Sequence, residues 1–126
     1  MALTTSSDAR AFVDYRTISD LALRDSTSAV MTTAEVDADA NWLAALSTAN
    51  GRLLAAVTMG DRYTSTEIAA LTSEAKSLRD KLVAMLALQV MVEGRPDLDK
   101  AHPQPAAHAQ AEQDLFWLRN GEELFG

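Results

Sequence analysis

Two groups of side chains have types and spacings that could bind a metal ion. In the acidic stretch VDADAN, Asp37, Asp39 and Asn41 occupy the first three ligand positions of a calcium-binding EF-hand loop. The match stops there, because such a loop needs glycine at its sixth position and glutamate at its twelfth. This chain has Trp42 and Thr48 at those positions. We therefore expect these acids on a solvated surface near a helix start, where negative charge suits the helix dipole.

The second group consists of the only two histidines, His102 and His108. A structural zinc site needs four ligands, and the chain offers no cysteine and no third ligand at a recognisable spacing. The sequence also lacks a glycine-rich phosphate loop and a serine in the setting of a hydrolase nucleophile. We therefore predict no catalytic, cofactor-binding or metal-binding residues, exposed histidines, and a protein that is not an enzyme.

Composition narrows the class of protein further. The chain has 126 residues with 48% hydrophobic and 6% aromatic content, which fits one domain with a single core. Alanine and leucine dominate the apolar residues and favour helices. The net charge of -7 disfavours nucleic-acid binding, which needs clustered lysine and arginine. The most apolar run, residues 82–92, is shorter than the roughly 20 residues that span a bilayer, and we expect a soluble protein without a signal peptide.

A long helix is predicted over residues 33–58. Thr32 and Glu35 have the spacing of a capping box, which marks the helix start. Gly51 lies inside the helical pattern, where close packing against another backbone would explain a glycine. Gly60 is expected to end the helix in a left-handed conformation. Arg52 and Arg62, near the end of this helix, are expected to pair with acidic side chains.

A second long helix follows another capping-box pair, Thr64 and Glu67, and a possible further start at Thr72. Its second half, LVAMLALQVMV, is apolar on nearly every face, so it must be covered from several sides and is the predicted central helix. Gly94 is expected to end it. The polar residues of its first half, expected on the solvated side, are Lys76, Arg79, Asp80 and Lys81.

These elements predict an all-α bundle of four or five helices with a long central helix and extended terminal arms. A short early helix buries Ile18 and Leu21 on one face. A last helix runs from about Pro105 to Asn120, and Gly121 follows it as the expected capping glycine. The predicted divisions are a flexible N-terminal arm over 1–14, a helical bundle over 15–120 and a C-terminal arm over 121–126.

Three local patterns occur in order along the chain. They are Tyr15, Thr17, Asp20 and Leu21; then Gly60, Arg62 and Tyr63; then Ala111, Leu115, Leu118 and Gly121. This arrangement resembles the head–tail connector proteins of tailed bacteriophages, which are also called adaptor or head-completion proteins, and in particular the small neck proteins of the phage Mu-like type. The resemblance covers most of residues 15–125.

The resemblance implies a structural virion protein that forms a homo-oligomeric ring, usually of twelve copies. Such a ring docks beneath the portal protein, carries the next neck or tail protein, and lets DNA pass through its lumen without specific binding. The implied location is the neck between head and tail, with the host cytoplasm as the place of assembly, and no membrane is involved. An acidic lumen would repel DNA, and salt would screen that repulsion beyond about 8 Å.

Aromatic and apolar residues and one arginine, near the ends of the predicted helices, are the candidate protein interface. They are Tyr15, Arg62, Tyr63, Phe116, Trp117, Leu124 and Phe125. Burying a leucine or phenylalanine is worth roughly 1.5–3 kcal/mol, so the last two should not stay in water. They either fold back on their own bundle or, in the interpretation we favour, dock on a neighbouring subunit or the portal. Truncation after Gly121 should then leave the monomer folded and weaken assembly.

Two other classes of function remain open at this stage. The first alternative is a small cytosolic helical module that binds one partner helix or regulates a partner protein. The second is a small enzyme, which the absence of an acid–base pair or metal set disfavours. The oligomeric mass of the protein, measured with and without a portal protein, separates the ring-forming connector from a monomeric module.

Overall fold

The structure is a computed structural model that describes residues 3–22, 30–94 and 102–125. Helices make up 73% of it, with no strand among those residues, so the predicted all-α class is confirmed. The described residues form more helices than the four or five predicted, because three are very short. The helices are α1 (Ser6–Ala9), α2 (Tyr15–Ala22), α3 (Thr33–Ala38), α4 (Ala40–Gly60), α5 (Ser65–Ala69), α6 (Ser73–Glu93) and α7 (Pro105–Arg119).

The three long helices α4, α6 and α7 pack together as the bundle. Arg52 of α4 pairs with Glu112 of α7, and Gly60 at the end of α4 meets Gly121 just beyond the end of α7, so these two helices run parallel. Helix α6 runs in the opposite direction, because Met91 near its end shares a cleft with Ala45 near the start of α4. Residues 82–88 of α6 are all buried, which confirms it as the central helix.

The predicted helix over 33–58 is in fact two helices that are separated at Asp39. This residue ends α3 and caps α4, with extended backbone angles and with its Oδ2 accepting a hydrogen bond from the Trp42 amide at 2.8 Å. Aspartate favours this arrangement because its short carboxylate competes for backbone amides. The capping box of Thr32 and Glu35 is confirmed at the start of α3, as is that of Thr64 and Glu67 at the start of α5.

The prediction of a flexible arm over residues 1–14 is wrong for residues 3–14. Leu3, Ala9 and Val13 are buried in the core, and α1 begins with a complete capping box. The backbone of Thr4 is held by the Asn50 side chain, whose Oδ1 accepts from the Thr4 amide at 3.0 Å and whose Nδ2 donates to the Thr4 carbonyl at 3.1 Å. This segment consists mainly of small polar residues, so the sequence did not indicate that it packs on the core. A few apolar side chains are sufficient to hold it there.

Two charges of α6 that were predicted to face solvent are buried. Arg79 is 2% exposed and Asp80 is 3% exposed. The guanidinium of Arg79 donates to Asp80 Oδ1 and to the Ile68 carbonyl, and Thr4 Oγ1 donates to the same Oδ1 at 2.7 Å. Lys76 Nζ completes the group by donating to Asp80 Oδ2 at 2.7 Å. We call this group the polar clamp; its members are Thr4, Asn50, Lys76, Arg79 and Asp80.

The polar clamp joins the N-terminal segment to the long helices α4 and α6. Asn50 belongs to α4, whereas Lys76, Arg79 and Asp80 belong to α6. Lys76 also pairs with Asp8 of α1 at 3.2 Å, and its hydrogen bonds to Asp80 and Asp8 raise its pKa. The buried charges are thus paired and hydrogen-bonded, as burial requires.

Candidate interaction surface

Four of the predicted interface residues meet at one end of the bundle. Tyr63 Oη accepts hydrogen bonds from the backbone amides of Leu124 and Phe125, both at 3.0 Å. The rings of Tyr63 and Phe125 pack edge to face, with centroids 5.6 Å apart. Arg62 pairs with Glu123 at 3.2 Å in an exposed salt bridge. We call this arrangement the tail latch; its members are Arg62, Tyr63, Glu123, Leu124 and Phe125.

Two glycines allow the ends of α4 and α7 to come together beneath the tail latch. A Cβ atom on Gly60 would stand 1.8 Å from the Leu118 carbonyl oxygen and 3.0 Å from the Gly121 nitrogen. Gly121 has a φ of +76°, and its amide and that of Glu122 donate to the carbonyls of Leu118 and Trp117. This is a Schellman cap, which turns the chain after α7 back toward Tyr63. Gly121 as the capping residue was predicted correctly.

The structural roles predicted for Gly60 and Gly51 are different from those observed. Gly60 is the last residue of α4, and the left-handed position after the helix belongs to Asp61, with a φ of 54°. A Cβ on Gly51 would meet nothing within 4 Å, so this glycine is not explained by close packing. The close backbone approach occurs at Gly60 instead. Asp61 tolerates the left-handed region because aspartate is one of the few side chains that can.

Phe116 and Met59 extend the apolar surface along the edge between α4 and α7. Phe116 is 55% exposed and Met59 is 68% exposed, while Trp117 is also exposed on the last turn of α7. Met59 lies two turns after Arg52, and Phe116 lies one turn after Glu112, the partner of Arg52. Residues at these spacings share a helix face, so both side chains line one edge.

Tyr15 lies away from this surface. It begins α2, where Arg16 stacks over its ring at 5.6 Å. The neighbouring Phe12 carbonyl accepts a hydrogen bond from Gln104, which precedes the start of α7. The tail latch lies beyond the other end of α7, and a helix of 15 residues is about 22 Å long. The structure therefore brings together six of the seven predicted interface residues around the end of α7 and leaves Tyr15 near its start.

The tail itself folds back within the chain. Leu124 and Phe125 are partly buried against the core of their own bundle. This is the alternative to the favoured prediction that they dock on a neighbouring subunit. The expected salt-bridge partners of the two arginines are confirmed, because Arg52 pairs with Glu112 and Arg62 pairs with Glu123.

The two histidines are stacked and partly enclosed, so the prediction that they are exposed is wrong. Their rings are 4.6 Å apart and nearly parallel. His102 Nδ1 accepts from the Gln104 amide at 2.9 Å, which leaves Nε2–H to donate to the Met85 carbonyl at 2.9 Å. Burial is the main cause that lowers the pKa of His102, and the neighbouring His108 acts in the same direction. His108 contacts Glu112 at 3.3 Å.

The acids of VDADAN stabilise the fold locally. Asp37 accepts hydrogen bonds from Arg10 Nε and Nη2, both at 2.8 Å, and from the Ser6 hydroxyl. The Arg10 hydrogen bonds hold the pKa of Asp37 below its usual value. Asp39 caps α4. Among the described residues, no group of three or more histidine, cysteine or acidic side chains could hold a metal ion.

A groove of about 310 Å³ lies between the N-terminal segment and α4. The groove is open at Gly51, because no heavy atom lies within 4 Å of the position that a Cβ atom would take there. Its apolar wall consists of Leu43, Leu46 and Leu54 of α4, and Leu43 is exposed. Residues 4–6 form the opposite side. No sequence signal identified this groove, because the docked position of the N-terminal segment was not foreseen.

No protein-family model, curated protein or solved structure matches this chain. Within the described ranges, every helix is too short or too polar to cross a membrane. Interpretation of the surface therefore depends on the residue patterns and on the contacts described above.

Proposed function

We propose that this protein is a structural subunit of a phage head–tail connector. In this proposal, copies of the chain form a ring beneath the portal protein, bind the next neck or tail protein, and leave a lumen for DNA. The proposal rests on the resemblance of the three ordered sequence patterns to connector proteins. It is also supported by the exposed apolar residues at the end of α7.

The observation that carries the proposal is the apolar surface at the end of α7. Phe116, Trp117 and Met59 remain exposed beside the tail latch, although the chain has few aromatic residues. Aromatic residues and methionine are enriched at protein interfaces, where they supply large contact area. In a ring, each subunit offers two different faces to its neighbours, and a surface of this kind would supply one of them.

The charge of the chain supports the same proposal. A net charge of -7 gives each subunit an excess of carboxylates, and a ring would concentrate them. If these carboxylates line the lumen, they would keep DNA from adhering during passage. A ring whose lumen is lined mainly by arginine and lysine would contradict this part of the proposal.

Co-sedimentation with the cognate portal protein tests the proposed function. The wild-type chain should sediment with portal as a large assembly, even if it is monomeric alone. The double variant Phe116→Ser, Trp117→Ser should lose at least about tenfold in affinity, because two exposed aromatic anchors are removed. The variant Leu43→Ser removes an exposed apolar side chain elsewhere and should sediment like the wild type.

Failure of the wild-type chain to associate with portal at any concentration would overturn the connector proposal. Equal losses in the double variant and in Leu43→Ser would show that the end of α7 is not the contact. Circular dichroism of each variant establishes that the helices are retained, so that a loss of binding is not a loss of folding.

The groove between residues 4–6 and α4 favours a second candidate function. Its leucines and its open floor at Gly51 fit the apolar face of one partner helix, which is the binding mode of a small helical module. A protein of this class would remain a monomer or form a one-to-one complex. Large assemblies with portal would exclude this alternative, and Leu43→Ser would then be a neutral variant.

A further inference from the structure

Asp114 is a buried carboxylate with one hydrogen-bond partner among the residues that the structure describes. It lies on α7 facing α6 and is 3% exposed. Its Oδ1 accepts from Gln110 Nε2 at 2.9 Å. Among the described residues, no basic side chain forms an ion pair with it. Burial raises the pKa of Asp114, and the hydrogen bond from Gln110 opposes that rise.

The contrast with Asp80 shows what Asp114 lacks. Asp80 is equally buried but accepts hydrogen bonds from Arg79, Lys76 and Thr4. A buried carboxylate normally needs a cation or several donors to offset the loss of hydration. Asp114 has one neutral donor, so its carboxylate retains most of its capacity to bind a positive group.

The space beside Asp114 is open and larger than a single water requires. A cavity of about 80 Å³ lies between α6 and α7, where a single water needs roughly 10–15 Å³. Apolar side chains form most of its wall, and two exposed residues, the cationic Lys81 and the neutral Gln110, complete its lining. Lys81 forms no ion pair with Asp114 among the described residues. The apolar members of the lining are Leu78, Leu82, Met85, Ala107 and Ala111.

We propose that this cavity is a socket for an arginine or lysine side chain of a basic partner protein. The aliphatic stem of such a residue would pack against the apolar wall, and its charged head would pair with the Asp114 carboxylate. A second copy of the chain is a poor donor, because each copy carries a net charge of -7. A metal ion is a poor occupant because Asp114 belongs to no group of possible ligands in the described ranges. The inference does not depend on the proposed connector function.

Nuclear magnetic resonance titration with a blocked arginine, N-acetyl-arginine-N-methylamide, tests the socket. Saturable shifts should centre on the amides of Leu78, Ala107 and Ala111. The neutral isostere N-acetyl-citrulline-N-methylamide should bind at least about tenfold more weakly, because a charge-assisted hydrogen bond contributes roughly 1.5–3 kcal/mol. The variant Asp114→Asn keeps the shape of the side chain and should show the same loss for the arginine probe.

A matched control separates the socket from general attraction to an acidic protein. Glu74→Gln removes one exposed carboxylate from α6 and should bind the arginine probe like the wild type. Asp114→Asn should remain folded, since it removes a buried charge. Absence of saturable shifts, equal binding of the citrulline probe, or equal binding by Asp114→Asn would overturn the inference.

Discussion

At the scale of single residues, the Asp80 carboxylate joins the N-terminal segment to α6. The carboxylate accepts hydrogen bonds from Thr4 of the N-terminal segment and from Arg79 and Lys76 of its own helix. Lys76 also pairs with Asp8 of α1. Removing the carboxylate would leave the guanidinium of Arg79 buried without a counter-charge. Buried charges without a partner are among the most destabilising features of a fold.

Asp80→Ala is therefore expected to lower the free energy of unfolding by about 3–5 kcal/mol. The exposed acid Glu74 lies on the same helix, and Glu74→Ala should change the free energy by no more than about 0.5 kcal/mol. Urea denaturation followed by circular dichroism measures both. Similar small losses in the two variants would show that Asp80 is solvated rather than buried.

His102 is expected to make the fold sensitive to acid. Its neutral ring accepts from Gln104 and donates to Met85, and burial depresses its pKa. The unfolded chain takes up a proton near pH 6.5, whereas the folded chain resists it, so stability falls as the pH drops below about 6.5. The slope approaches about 1.4 kcal/mol per pH unit until the folded pKa is reached.

Urea midpoints at about pH 7.5 and 5.5 measure this effect. His102→Gln should lose most of the difference between the two values, whereas His108→Gln should retain more of it. The charged groups facing His102 are His108 and, beyond it, Glu112 and Arg52. Burial acts to raise the pKa of Glu112, but Arg52 outweighs it and holds that pKa below its usual value, so Glu112 contributes outside this window. Burial raises the pKa of Asp114, and Asp114→Asn is the control for its contribution. A His102→Gln protein with an unchanged pH dependence would contradict the prediction.

Part of this chemistry can be predicted from residue patterns alone. The capping boxes were readable because both members of each pair lie within one turn of helix. Burial of Arg79 was also readable in principle, since it shares a helix face with Leu82, Val83 and Leu86. The stacking of the two histidine rings was not readable, because His102 is held in place by Met85 of α6, which lies 17 positions earlier in the chain.

At the scale of elements, the two helical glycines of α4 have opposite roles. Gly60 lets α4 approach α7 backbone to backbone, whereas Gly51 faces open space in the groove. The sequence places Gly51 inside a helix and Gly60 at the end of one. It cannot say which one is required, because the requirement comes from a second helix that lies far along the chain.

Gly60→Ala and Gly51→Ala should therefore change stability in opposite directions. The new methyl at position 60 would overlap the Leu118 carbonyl, so we expect a loss of more than about 2 kcal/mol as the helix ends separate. At position 51 the methyl meets nothing, and alanine should stabilise the helix by about 0.5–1 kcal/mol. Thermal unfolding measures both, and equal effects would mean that the ends of α4 and α7 are not in contact.

At the scale of the whole molecule, the tail latch covers one end of the bundle without belonging to its centre. Leu124 and Phe125 are partly buried, and the helices of the bundle do not depend on them for their own caps. The latch is thus a contact that can be removed while the bundle persists.

Truncation after Gly121 should leave the helical circular dichroism signal intact and lower the free energy of unfolding by about 1.5–3 kcal/mol, because the two side chains are only partly buried. The truncation also removes the Glu122 amide, and with it one of the two hydrogen bonds of the Schellman cap. Tyr63→Phe removes only the hydroxyl that accepts two amides and should cost about 1 kcal/mol. Collapse of the helical signal on truncation would show that the tail is core. Weaker assembly of the truncated chain remains a prediction of the connector proposal.

The class of the whole fold was predictable, whereas its assembly was not. Helical periodicity and caps are local, so the all-α class and the central position of α6 followed from the sequence. The docking of residues 3–14 and the parallel pairing of α4 with α7 depend on contacts between distant residues. The break at Asp39 is a local cap, which the continuous apolar pattern over 33–58 did not reveal. The sequence also predicts a loop over 26–31 and a polar linker over 94–105, which fall mainly on residues 23–29 and 95–101, outside the described residues.

The parallel pairing of α4 and α7 also bears on the order in which the molecule folds. The Arg52–Glu112 contact spans 60 positions, so closing it first would incur the full entropic cost of a long loop. The antiparallel partners α4 and α6 are closer along the chain and can form a helical hairpin first. That hairpin shortens the loop that the Arg52–Glu112 contact must close. Helix α7 would then dock last, on the nucleus formed by α4 and α6.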